Sequence, residues 1–290
     1  MTAQVIFAGC RELPRGSGDE RAVGPALAAV GVELHWAAWD DPNVDFSAAD
    51  LVVLRATWDY ARRRDDFLAW CDSVPTLRNS AAVARWNTHK RYLLDLADAG
   101  VPIVPTELVR VGDSPRWPAG EFVVKPAVGA GSVGARRFGP RQHGPAAEHL
   151  AALHAEGREA LIQPYQRDVD ARGEIALVFF GGVYSHAFTK AAMLVAPDLD
   201  GSGLFVAEKL AAAEPGPDFR GLAEDTLDAA VALLGLTRAD LLYARVDVVT
   251  GEDGAPAVLE LELTEPSLGF AQADPAAPLR FASAIRGQLS

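Results

Sequence analysis

The strongest constraint on the fold comes late in the chain, where two apolar runs, Ala244 to Val249 and Ala257 to Leu263, carry charged residues spaced two apart. Side chains two apart on a strand share a face, so Arg245 points with Asp247, and Glu260 with Glu262. Thr250 to Pro256 reads as a turn, and a hairpin across it gathers three carboxylates and one guanidinium on a half-buried surface. Like charges there repel unless a cation neutralises them. A hard divalent ion carrying nucleotide phosphates would do so. The plainer alternative is an edge hairpin with its acids in solvent.

A second segment points the same way. Phe122-Val123-Val124-Lys125-Pro126-Ala127-Val128-Gly129-Ala130-Gly131-Ser132-Val133-Gly134 is an apolar strand ending in a lysine and followed by glycines and a serine. Glycines let backbone N–H groups wrap an anion, and the lysine adds a point charge for phosphate oxygens. No Gly-Lys-Ser/Thr closes the run and no GxGxxG opens a helix, so it is neither of the common nucleotide loops. By itself it also fits a tight hairpin with a surface lysine.

Upstream, short apolar runs alternate with helical stretches: a strand at Val5 to Phe7, a helix through Val23 to Val30, strands at Val32 to Trp36 and Leu51 to Leu54, then a loop leading into a helix over Trp58 to Asp72. This alternation predicts parallel β with crossover helices. From Asn79 the texture changes. Asn87-Thr88 is placed to cap a helix carrying Leu93, Leu94, Leu96 and Ala97, closed by Gly100 with Pro102 beyond. Strand, glycine-rich turn and strand over Glu121 to Phe138, a helix over Ala146 to His154 and a strand over Ala160 to Tyr165 describe a small α+β unit. Strands at Glu174 to Phe180 and Val183 to Phe188 follow, then a long loop from Ala191 to Gly216 and an amphipathic helix through Leu222 to Leu234. After the charged hairpin, Asp274-Pro275 opens a final helix.

Composition narrows the partners. The 290 residues, 49% of them hydrophobic, suffice for a core divided among two or three subdomains. A formal net charge of -12 repels phosphate backbones and anionic lipid, which argues against nucleic acid and membrane. Cys10 and Cys71 stand apart without CxxC or Cys/His spacing, so no disulfide framework or zinc site is indicated and a cytoplasmic location is expected.

Together these segments resemble the ATP-grasp superfamily, in their order as well as their residues, from Asn79 to Gly269. The resemblance implies an α/β fold, α+β in its ATP-binding part. An ATP-grasp domain would span 78–290 behind an N-terminal parallel-sheet domain at 1–77, with a glycine-loop lid over 119–165 and a catalytic subdomain over 166–290. ATP and Mg2+ are implied, with Mn2+ as a substitute. Lys90 in Trp86-Asn87-Thr88-His89-Lys90 matches the family's first phosphate lysine and Lys125 its second. Gly129, Gly131, Ser132 and Val133 belong to the mobile loop. Gln163 and Tyr165 fall at the adenine hinge, and Glu174 resembles the acid directed at the ribose. Asp247, Glu260 and Glu262 take the metal positions. Arg245 resembles the arginine that D-alanine:D-alanine ligase relatives point at the reacting oxyanion, and Lys190 a cation beside the transferred phosphate. Two departures stand out: Glu262 replaces the usual asparagine, and the family's Asn-Thr-x-Pro-Gly loop becomes Glu262-Leu263-Thr264-Glu265-Pro266-Ser267.

Substrate contacts are expected from two places. Arg55, Asp59 and Tyr60 follow the Leu51 to Leu54 strand, and ligands of open sheets bind at the carboxyl ends of parallel strands. Glu265 and Ser267 lie in the loop after the metal strand. His186 alternates with Phe188 and reads as facing solvent or making a satisfied core contact, a catalytic role being the lesser alternative, and Cys10 reads as a packed thiol. The implied activity is that of an ADP-forming carbon–nitrogen ligase: a small-molecule carboxylate, belonging to an amino acid or derivative, becomes an acyl phosphate that an amine attacks. The amine sits on a second molecule or on the same one, as in a cyclo-ligase that closes the D-cycloserine ring. A kinase-like member, a non-catalytic ATP-binding sensor and an acidic scaffold are the alternatives, and a homodimer is compatible with all of them.

Overall fold

The computed structural model describes residues 2–192, 201–206 and 209–289. Four runs build a parallel sheet: β1 (Ala3–Gly9), β2 (Val32–Ala38), β3 (Leu51–Leu54) and β4 (Leu77–Arg78), in the order β2-β1-β3-β4. Helices α1 (Val23–Ala29) and α2 (Arg64–Ser73) connect them. Every residue of β3 is buried, as expected for a parallel strand covered on both faces. Next come α3 (Ala81–Asn87) and α4 (Tyr92–Asp98). An antiparallel sheet follows, made of β5 (Glu107–Val109), β6 (Phe122–Pro126), β7 (Arg136–Phe138) and β8 (Ala160–Pro164) in the order β5-β8-β6-β7, with α5 (His143–Ala155) beside it.

After α6 (Asp168–Arg172) the last sheet forms. Its strands are β9 (Glu174–Phe180), β10 (Val183–Lys190), β11 (Leu210–Ala213), β12 (Tyr243–Thr250) and β13 (Pro256–Glu262), antiparallel in the order β11-β10-β9-β12-β13. Helices α7 (Pro217–Leu234) and α8 (Ala277–Gly287) complete the elements. One apolar cluster joins this sheet to the first: Val5 and Phe7 of β1 and Leu27 of α1 pack with Phe180 of β9 and with Phe281 and Ile285 of α8. Phe281 is fully buried, its ring 4.9 Å from Phe180 and 6.2 Å from Phe7. Truncating such a residue to alanine costs about 3–5 kcal/mol.

Two expectations are corrected here. The stretch from Ala191 to Gly216 is not all loop, because Leu210–Ala213 pairs with the end of β10, Lys190 facing Leu210; residues 193–200 and 207–208 lie outside the described residues. Asn87 does not open a helix either. It ends α3, whose N-terminal cap is Ser80. The Asn87 side chain serves the last sheet instead: its amide donates to the Leu261 carbonyl at 2.8 Å and its oxygen accepts from the Leu263 N–H at 2.7 Å. Asn79, wholly buried, does the same one strand over, donating to the Tyr243 and Leu263 carbonyls and accepting from the Leu242 N–H at 2.8 Å. These amides satisfy backbone groups at the strand ends and so fix the frame of the charged hairpin.

Candidate active site

The hairpin pairs as its two-residue spacing requires: Arg245 lies opposite Glu262, and Asp247 opposite Glu260. On the other side of β12, β9 and β10 place Glu174 opposite Lys190. The charges meet tightly. Lys190 Nζ lies 2.5 Å from Asp247 Oδ2 and 2.9 Å from Glu174 Oε2. Arg245 grips Asp247 with Nε at 2.8 Å and Nη2 at 2.9 Å, and also donates to Glu262. Lys90, in the turn between α3 and α4, reaches Glu260 at 2.7 Å and the Gly129 carbonyl at 2.8 Å.

All of these side chains except Asp247 line one cleft between the last two sheets. Lys125 enters from the end of β6, and Gln163 and Tyr165 from the end of β8. The turn from Gly129 to Gly134 forms another wall, with Gly131, Ser132 and Gly134 at φ values of 58°, 61° and 81°. Gly131 has no room for a side chain, since a Cβ would lie 2.5 Å from the Phe205 Cβ. Phe205 in turn packs on Trp58, ring centroids 4.9 Å apart. Tyr165 donates to Asp170 at 2.5 Å and carries the Arg137 guanidinium 3.6 Å over its ring.

Around this cleft five carboxylates, Glu174, Asp247, Glu260, Glu262 and Glu265, stand against four cations, Lys90, Lys125, Lys190 and Arg245. The imbalance shows in their protonation. Burial opposes ionisation of Glu260, yet Lys90 and Lys125 hold its carboxyl far below the ordinary range. Asp247 is likewise buried but held low by Arg245 and Lys190. Glu262 is pushed up to about 7 by burial, against the pull of Arg245 and with repulsion from Glu260 and Asp247. Burial, with the charge of Glu262, raises Glu265 to about 8. Burial, with repulsion from Lys90 and Lys190, depresses the Lys125 ammonium against the pull of Glu260 and Glu174.

The loop after β13 is fastened at almost every residue. Tyr243 donates to the Thr264 carbonyl at 2.7 Å, Trp58 to that of Glu265 at 3.0 Å, and Arg55 to that of Pro266 at 2.6 Å. Arg245 Nη1 reaches the carbonyl and hydroxyl of Ser267 at 3.0 and 3.1 Å. Asp19 accepts from the N–H groups of Leu268, Gly269 and Phe270 at 2.6, 3.1 and 2.9 Å. His186 Nε2 lies 2.7 Å from the Leu268 carbonyl, so of its alternatives the satisfied contact holds.

With this geometry established, likeness to known proteins is informative. The profile of the D-cycloserine synthetase DcsG N-terminal domain matches residues 5–82. The cycloserine biosynthesis protein DcsG of Streptomyces lavendulae is 40% identical over 283 residues, covering 91% of each chain. The chain belongs to the DcsG family of ATP-grasp ligases. The crystal structure of D-cycloserine synthetase DcsG superposes with a TM-score of 0.90 at 37% identity, over 99% of this chain and all of that one. The ATP-grasp ligase PsnB, solved with a phosphomimetic variant of its minimal precursor, Mg and ADP, shares the fold at 16% identity, with a TM-score of 0.63 and full coverage of both chains. This DcsG-family chain is thus an ATP-dependent, ADP-forming carbon–nitrogen ligase, with the expected ATP-grasp architecture.

Not every expected residue of this family member reaches the cleft. Lys90, Lys125, Gly129, Gly131, Ser132, Val133, Gln163, Tyr165, Glu174, Lys190, Arg245, Glu260, Glu262, Glu265 and Tyr60 line it. Asp247 lies behind Arg245 and Lys190 with no exposed surface. Arg55 does not line the cleft: it is 1% exposed, and its guanidinium donates to Glu20 and to the Pro266 carbonyl. Asp59 is taken by the Trp39 indole at 2.8 Å and by Arg63 at 2.5 Å, and the Ser267 hydroxyl by Arg245. Among the described residues no three acidic, histidine or cysteine side chains stand close enough to hold a metal ion, because the carboxylates are turned to lysine and arginine. Trp58, Asn87 and Tyr92 also line the cleft. Trp58 had a signal, an aromatic just past a parallel strand; Asp19 had none.

Proposed function

We propose that the chain closes a ring within one amino-acid derivative, joining its carboxyl carbon to an aminooxy nitrogen on its own side chain. The observation that carries this reading is the likeness to DcsG, 40% identical along 91% of both chains. In D-cycloserine the ring nitrogen bonds both the former carboxyl carbon and an oxygen, so the open precursor has the skeleton of O-amino-D-serine. A carboxylate oxygen attacks the γ-phosphorus of ATP and ADP leaves. The side-chain nitrogen then attacks the acyl carbon, phosphate leaves, and the nitrogen loses a proton.

Lys90, Lys125 and the turn from Gly129 to Val133 receive the phosphates, Gln163 and Tyr165 the adenine, and Glu174 the ribose. Arg245 and Lys190 meet charge accumulating on the acyl and phosphoryl oxygens, since such transfer is catalysed chiefly by positioning and electrostatics. The donor chemistry suits a hard divalent ion, since Asp247, Glu260 and Glu262 carry oxygens at neighbouring register positions, but in this structure they face lysine and arginine instead. When bound, Mg2+ would draw charge from the phosphate oxygens, and Mn2+, which accepts the same ligands, should substitute for it. The lysines and arginine that now neutralise these acids would turn to phosphate as the ion takes their place. Tyr60 and Glu265 border the small substrate.

Turnover with ATP, Mg2+ and O-amino-D-serine, followed by mass spectrometry, tests this. ADP release with loss of one water and appearance of the cyclic product is expected. ADP release only when a second amine is added would overturn ring closure in favour of joining two molecules.

A further inference from the structure

We propose that the Glu265 carboxylate seats a positively charged amine of the substrate, so that this cleft selects amino acids whose α-amine is free and protonated. The proposal rests on the ligase reading above and specifies the ligand of that site. Its first support is the surplus acid. Glu174 and Asp247 have Lys190 at 2.9 and 2.5 Å, Glu260 has Lys90 at 2.7 Å, and Glu262 has Arg245. Glu265 makes no ion pair among the described residues, although it is only 7% exposed and opens on the cleft; the Tyr60 hydroxyl hydrogen-bonds it, and Lys90 acts on it only at longer range. Ionising a buried carboxyl without a counter-charge is costly, and groups perturbed in this way cluster at functional sites.

The second support is the way Glu265 is held. Its own carbonyl accepts from the Trp58 indole, and the next carbonyl, that of Pro266, accepts from Arg55, so the main chain cannot carry the carboxylate out to water. Both bonds come from the segment after β3, and from there Trp58 and Tyr60 also line the cleft. A carboxyl in contact with Tyr60, in a cleft that Trp58 also lines, is a suitable surrounding for an ammonium group, which is drawn to carboxylate and to aromatic faces. Lacking such a partner, the carboxyl keeps its proton up to about 8, and a bound ammonium would return it to the ionised form. Glu265 would then recognise the group that takes no part in ring closure, leaving carboxylate and side-chain nitrogen to Arg245 and the phosphate.

Equilibrium binding of D-cycloserine and of 1,2-oxazolidin-3-one, the same ring without its amine, tests the assignment in the presence of Mg2+ and ADP. The wild-type chain should prefer the amine-bearing ring by tenfold or more, and Glu265→Gln should abolish that preference while leaving ADP affinity unchanged. Equal binding of the two rings, binding of neither, or an undiminished preference in Glu265→Gln would overturn it. So would a variant whose chief defect is weaker Mg2+ binding, which would make Glu265 a metal ligand. Thermal melting of Glu265→Gln controls for folding, and Glu265→Asp should restore part of the preference. If O-amino-D-serine fails to cyclise while the amine preference holds, ring closure is wrong and the ammonium seat stands.

Discussion

The turn from 129 to 134 and the loop from 264 to 270 both border the cleft, yet they are built differently. The first depends on residues at positive φ and on bonds within the turn, such as Val133 N to Ala130 O at 3.2 Å, with outside bonds from Lys90, His149 and Val206. The second is gripped by Asp19, Arg55, Trp58, His186, Tyr243 and Arg245, drawn from several elements. Glycine-rich backbone can reshape around an anion, whereas backbone whose polar groups are already satisfied has little reason to move. One wall should therefore adapt to the nucleotide while the other meets the carboxylate substrate preformed.

The largest test of that contrast is Gly131→Ala. A residue at φ 58° with a Cβ 2.5 Å from Phe205 must displace backbone, and a shift near 1 Å at a reacting site can lower rate about 100-fold. We expect a loss of that order in kcat/KM for ATP, with amide hydrogen exchange in 264–270 unchanged. Exchange accelerating in both loops together would end the distinction. Asp19→Ala should do the reverse. It strips a shared acceptor from three N–H groups, which costs about 1–3 kcal/mol of stability, and should raise KM for the carboxylate substrate about tenfold at constant ADP affinity.

The smallest effect concerns pH. Glu262 at about 7 and Glu265 at about 8 lie above the ordinary 4.5, so between those values the folded chain binds more protons than the unfolded one. Their contribution is fully present below about 4.5 and is lost as pH rises through the folded values. Denaturant titrations of the ligand-free chain should show stability falling from pH 5 to 8.5, and Glu265→Gln should lessen the fall by on the order of 2 kcal/mol. An unchanged slope would mean that the preformed loop carries no uncompensated charge.

How much of this was legible follows the range of the interactions. The charged hairpin could be read because alternation on a strand is local, and the lysine-glycine turn because glycine marks unusual backbone. Asn87 was misread for the same reason: its capping propensity is local, but the bonds it makes reach Leu261 and Leu263. The strand Leu210–Ala213 hid because alanine has low β propensity and only pairing with β10 defines it. The fastening of 264–270 depends on partners as remote in sequence as Asp19 and Phe270, and no spacing announces them. Arg55 was visible as a cation at a strand end, but its partner Glu20 was not, and that partner decides that it braces the loop from behind.

The bonds from Asp19 to Leu268, Gly269 and Phe270 also order events during synthesis. Asp19 leaves the ribosome long before its partners are translated. The wall that meets the carboxylate is therefore closed only when both ends of the chain are present, and the N-terminal domain has a share in building a chamber whose chemistry lies in the C-terminal sheet.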